Sequence, residues 1–162
     1  MKREIKFRAW DTENSKFFEP TYKAYKNNLE DLDISLSGRL SLRYIRGLAQ
    51  GVEDESLFPD RFELMQFTGL KDKNGVEIYE GDIIFSGYWG MYYGTSNFVI
   101  EFYNGSFGGV MQEYYNLPSK RHGNSKNKRT RWNYFYPLSR LNEGIDPREV
   151  IGNIHENKEL LK

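Results

Sequence analysis

The chain of 162 residues contains no cysteine, which excludes disulfides, thiolate zinc centres and a cysteine nucleophile. Histidine is almost as scarce, with only His122 and His155. Cations around His122 disfavour both its protonation and metal binding, and His155 with Glu156 offers at most two ligands from one short segment. No metal and no cofactor are expected. Nowhere do roughly 18 apolar residues run together, as a membrane span requires. Residues 1–8 alternate charge with apolar side chains where a signal peptide would need an apolar run. These absences point to the cytoplasm, with no membrane partner. Net charge is lacking too: Lys plus Arg equals Asp plus Glu at 23 each, so no global field draws the protein to nucleic acid or an acidic bilayer. The glycines form no phosphate loop, and Gly105-Ser106-Phe107-Gly108-Gly109 lacks the spacing of a nucleophile elbow. No enzymatic activity is expected.

What is present is aromatic. Phe, Tyr and Trp make up 16% of the residues against 38% hydrophobic in all, so a core must be built largely from rings. Ile5, Phe7 and Ala9 alternate with Lys6, Arg8 and Trp10, the period of a half-buried strand. Asp11-Thr12-Glu13-Asn14 reads as a turn and Lys16-Phe17-Phe18 as the returning strand of a hairpin. From Asn27 to Gln50 the apolar residues mix helical and alternating spacing, so helix and strand stay open there. Glu53 to Asp60 reads as an acidic connection. Strands are expected at Phe62–Phe67, Ile83–Phe85, Asn97–Phe102, Phe107–Met111, Asn133–Tyr136 and Val150–Ile154, with one helical turn at Pro137–Leu141. Asn74-Gly75 predicts a type I′ hairpin turn. This is an α+β chain, mainly β: an N-terminal hairpin and mixed region over 1–62 packed on a small SH3-like barrel over 63–162, folding as one cooperative unit.

Three blocks carry a family likeness. They are Arg3-Glu4-Ile5-Lys6-Phe7-Arg8-Ala9-Trp10-Asp11, the stretch Leu64 to Gly75 with Glu77-Ile78-Tyr79-Glu80-Gly81-Asp82-Ile83, and Glu149 to Asn157. In that order they resemble the YopX-like proteins of phages and prophages. The resemblance implies an accessory protein with a β-rich, SH3-like C-terminal part that forms homo-oligomers and has no catalytic residue to carry over. It supplies no biochemical activity.

Two stretches stand out as candidate contact sites. Lys120, Arg121, Lys126, Lys128, Arg129 and Arg131 form an acid-free cationic run leading into Trp132. Cations there would neutralise phosphates, and Trp132 would stack on an unpaired base; an ordinary solvated loop has the same composition. The aromatic and glycine-rich run containing Tyr88, Trp89, Tyr92 and Tyr93 suits a contact with a second subunit or another partner. The leading reading is a non-enzymatic binding or structural module that self-associates and contacts an unidentified phage or host macromolecule; the alternative is nucleic-acid binding through the cationic run. Asp72, Glu77, Glu80 and Asp82 read as turn residues because a calcium loop needs glycine where Glu77 stands. A catalytic site would require dispersed residues such as Asp82, Glu101 and His155 to converge.

Overall fold

The computed structural model describes residues 4–23, 26, 28–86, 96–111, 135–138 and 148–161. Thirteen strands run along the described chain, and the sheets are curled. The mainly β expectation is borne out. By internal packing the chain divides into two compact units, one made of Met1–Arg8 with Met65–Lys162 and the other of Ala9–Leu64.

In the Ala9–Leu64 unit, β1 (Phe7–Asp11) turns back into β2 (Lys16–Phe17), with Trp10 opposite Phe17 and Asp11 opposite Lys16. The expected opening hairpin is there. The segment that the sequence left open is three strands of an antiparallel sheet ordered β3-β4-β5-β6: β4 (Asn28–Ile34), β5 (Leu40–Arg46) and β6 (Ala49–Asp54), preceded by β3 (Thr21–Lys23). Leu32 faces Leu42 across β4 and β5. Leu42 joins Ala9, Phe58 and Phe62 in the core of this unit, with Phe18, Leu32, Leu40 and Leu64 packed against it.

In the other unit, β7 (Phe62–Lys71, from Met65 onward) pairs with β8 (Glu77–Tyr79). A five-stranded antiparallel sheet then follows the order β12-β11-β10-β9-β13. Its strands are β9 (Asp82–Ser86), β10 (Ser96–Tyr103), β11 (Ser106–Met111), β12 (Phe135–Pro137) and β13 (Glu149–Asn153). Each contains or overlaps a strand expected from the sequence. Ile78, Ile84, Phe98, Ile100 and Leu138 form the core, each contributing about 1.5–3 kcal/mol through burial. The helical turn expected at Pro137–Leu141 falls mostly outside the described residues.

The turn at Asn74-Gly75 is a correction. A type I′ turn needs positive φ at both residues, but only Gly75 has it, at 83°. Gly75 N–H donates to the Asp72 carbonyl at 3.1 Å and Asp72 N–H to the Val76 carbonyl at 2.8 Å, which is a three-residue loop ending in a left-handed glycine. The Asp72 carboxylate decides the difference by accepting from the N–H groups of Asn74 at 2.8 Å and Val76 at 2.9 Å. The β4–β5 connection repeats this design with other residues: Gly38 N–H donates to Ser35, Ser35 N–H to Arg39, and the Ser35 hydroxyl accepts from Arg39 N–H at 3.0 Å.

Candidate functional site

Both contact runs singled out in the sequence, Lys120 to Trp132 and Tyr88 to Tyr93, lie outside the described residues. The resemblance blocks, by contrast, are largely described, and what they do is hold the fold. Arg8 Nη2 meets Asp82 Oδ1 at 2.5 Å, its Nε meets Met65 Sδ at 3.4 Å, and its guanidinium lies 4.8 Å from the Tyr79 ring centre. Asp82 also accepts from Tyr79 N–H at 2.7 Å. Burial pushes the Asp82 carboxyl up, and the pull of Arg8 and the Tyr79 N–H does not cancel it. Lys6 donates to Glu77 at 2.7 Å, a hydrogen bond that raises the Lys6 pKa and lowers that of Glu77.

The carboxylates of the central block therefore have structural work. Burial pushes the Asp72 carboxyl up, but N–H donors from Val150, Val76 and Asn74 outweigh it and hold the group below its ordinary value. One of these, Val150 N–H at 3.1 Å, ties the turn to β13. Glu77 accepts from Tyr79 Oη at 2.8 Å as well as from Lys6, and Glu80 accepts from Phe102 N–H at 3.4 Å. Glu101 stands on β10 and His155 in the turn after β13, while Asp82 is taken up by Arg8. Among the described residues no group of three His, Asp or Glu side chains is placed to hold a metal.

A feature shaped for a partner lies in the segment read as an acidic connection. Asp54 caps a 3₁₀ turn at Glu55–Leu57 by accepting from Ser56 N–H at 3.2 Å. Phe58-Pro59-Asp60-Arg61 then reverses the chain, closed by Arg61 N–H on the Phe58 carbonyl at 3.2 Å. Proline presets the second position of such a turn and the third needs positive φ, which Asp60 supplies at 57°. The reversal brings the Phe58 and Phe62 rings edge to face at 5.5 Å.

With Leu40 and Pro59 these rings floor a groove of about 420 Å³, rimmed by Arg39, Glu55 and Asp60. Arg39 brings no free charge to it, because both oxygens of Asp54 bind its Nη2, at 2.6 and 2.8 Å. Glu55 Oε2 accepts from Leu40 N–H at 2.9 Å and its Oε1 lies 3.6 Å from Arg39 Nε, so Arg39 is shared by two carboxylates and, with Asp60, three acids against one cation leave the rim negative. Beside it Leu57 is 71% exposed. Such a groove takes one large apolar side chain with a cation next to it. In the sequence the only sign of it is the spacing of Phe58 and Phe62 around Pro59 and Asp60.

The segment around the groove carries the same bias. Ala9–Leu64 holds 7 Lys and Arg against 11 Asp and Glu, and the remainder holds 16 against 12. Among the described residues no helix is long and apolar enough to cross a membrane.

The family model described as YopX protein matches residues 6–162. Protein EF1440 from Enterococcus faecalis, known from a crystal structure, is 31% identical, with a TM-score of 0.53 over 99% of this chain and 100% of that one. The crystal structure of protein yopX from Bacillus subtilis is 19% identical, with a TM-score of 0.52 over 96% of this chain and 97% of that one, a likeness of fold. No curated protein matches the chain.

Proposed function

The chain belongs to the YopX protein family, and from that premise we propose that it is a non-enzymatic binding module of a phage or prophage, self-associating in the host cytoplasm. The observation that carries this reading is the groove over Phe58 and Phe62, apolar below and acidic at the rim. Its occupant is a second copy of the chain, presenting an apolar side chain beside a cation. The uneven division of charge supports this choice, since the acidic Ala9–Leu64 segment faces an excess of cations in the rest of each copy.

Neutralising the rim tests the reading. Glu55→Gln keeps the hydrogen bond to Leu40, and Asp60→Asn keeps a side chain that tolerates positive φ. Light scattering on the double variant should report a smaller particle than the wild type at equal concentration, with circular dichroism unchanged. Equal particle mass would remove the groove from the assembly contact.

A second reading rests on Lys120, Arg121, Lys126, Lys128, Arg129 and Arg131, six cations with no acid among them. It makes a nucleic-acid strand the further partner, with Trp132 as the stacking residue. Fluorescence anisotropy with labelled single-stranded DNA is the check. Salt-sensitive binding that disappears when Lys126, Lys128, Arg129 and Arg131 are all Ser is the expected result, and no binding by the wild type would sink it.

A further inference from the structure

Arg148 immediately precedes β13 and is 7% exposed. Its Nη1 is shut off from solvent and has no hydrogen-bond acceptor. This is unusual chemistry for a side chain that is permanently charged and carries five donors in a planar fork. A buried cation without a counter-charge is strongly unfavourable, so native proteins almost always give it a carboxylate or a bound anion.

The acids next to it, along the chain and across the hydrogen bond from Lys73, are already committed. Asp72 spends its two oxygens on the N–H groups of Asn74, Val76 and Val150. Glu149, next in sequence, pairs with Lys73 at 2.7 Å and accepts from the Asn74 side chain at 3.5 Å. The backbone of Arg148 is also pinned, because its carbonyl accepts from Lys73 N–H at 3.0 Å. Burial alone pulls the guanidinium pKa below its ordinary value, the direction expected of an enclosed cation with no anion beside it.

We propose that Arg148 is the anchor of a binding site for a small oxyanion, phosphate or a phosphate-sized carboxylate, whose two oxygens meet the planar guanidinium fork. The enclosure favours a small ion over a polymer. A nucleic-acid backbone would need the cation on an open surface, whereas Arg148 is almost wholly covered. The site is independent of the groove over Phe58 and Phe62.

Isothermal titration calorimetry of the full chain with inorganic phosphate, and separately with acetate, at fixed ionic strength tests the site on wild type, Arg148→Lys and Arg148→Met. Saturable binding by the wild type is expected. Arg148→Lys, which lacks the fork, should lose about tenfold in affinity, and Arg148→Met should bind neither ion. Binding of acetate alone would keep the site and assign it to a carboxylate ligand. A wild type that binds neither ion, or a Met variant that binds as the wild type does, would overturn the proposal.

Thermal unfolding in chloride gives a second reading. Arg148→Met removes an uncompensated buried charge and should unfold at the same temperature as the wild type or higher. Unfolding several degrees lower would mean that the chain itself satisfies the guanidinium, and would equally overturn the site.

Discussion

At the scale of single residues, the polar groups that matter most are those the fold has enclosed in pairs. Asp11 is 2% exposed. Arg61 reaches it through Nη2 at 2.8 Å and Nε at 3.3 Å, and Asn14 adds its side-chain amide at 2.7 Å. Burial pushes the carboxyl up, but the hydrogen bonds from Arg61 and Asn14 outweigh it and bring the pKa to about 2 from 3.8. Replacing Asp11 by Asn removes the buried counter-charge of Arg61, leaves it the exposed Glu13 at 3.2 Å, and should cost on the order of 3 kcal/mol in urea unfolding.

The same pair sets an acid limit. A carboxyl whose folded pKa lies below its unfolded value adds stability that is complete above the unfolded pKa and disappears as pH falls through the folded one. For Asp11 that window runs from about pH 4 down to about pH 2. Asp72 and Glu77, also held low, act with the same sign. Asp82, held high, acts with the opposite sign and offsets part of the loss. The urea midpoint of the wild type should therefore fall across this window, and the fall should be smaller in Asp11→Asn. A pH-independent difference between the two proteins would show that the pair does not titrate as described.

At the scale of elements, the two three-residue loops explain both what the sequence disclosed and what it concealed. Asp72 supports its loop with one carboxylate that takes three N–H groups from two parts of the chain. Asp72→Ala leaves those donors without their acceptor and should cost about 2–3 kcal/mol, seen as a lower unfolding temperature. Asp72→Asn, which still accepts, should lose less. Equal losses would mean that the carboxylate's hydrogen bonds do not organise the turn.

The Ser35–Arg39 loop has the same hydrogen bonds without an Asn-Gly pair, which is why the β4–β5 hairpin was not legible. The spacing of its apolar residues also misleads. Leu29 and Leu32 are three apart, as are Leu42 and Ile45, an interval that suits one face of a helix. In the structure Leu29 pairs with Ile45 and Leu32 with Leu42, and residues three apart on a strand point to opposite faces. The sheet is apolar on both sides, so neither period stands out. Where a short apolar run is buried, as at Ile83 and Ile84 in β9 and Phe98 to Ile100 in β10, the strands could be read directly; in β1 the alternation located the strand but not its buried side, since Ile5 and Phe7 are exposed while Trp10 and Asp11 are buried. The groove was illegible for another reason: Leu40 and Phe62 lie 22 positions apart, and only the turn at Pro59 and Asp60 brings the second up to the first.

At the scale of the whole molecule, a chain of zero net charge divides into an acidic segment and a cationic remainder. The acidic segment holds the groove over Phe58 and Phe62, which fits an apolar anchor. Exposed charge pairs within each copy, such as Arg39 with Asp54, contribute little to stability. Between copies, complementary charge sets orientation and the rate of encounter. An assembly held in this way must weaken as salt rises, because screening lengths shrink from about 10 Å at 0.1 M to about 3 Å at 1 M. An assembly held by apolar surface alone would not.

Sedimentation velocity of the wild-type chain, run at one protein concentration from low to high salt, tests this directly. An oligomer at low salt that dissociates progressively as sodium chloride is added is the expected result. A monomer at every salt concentration, or an oligomer indifferent to salt, would contradict it.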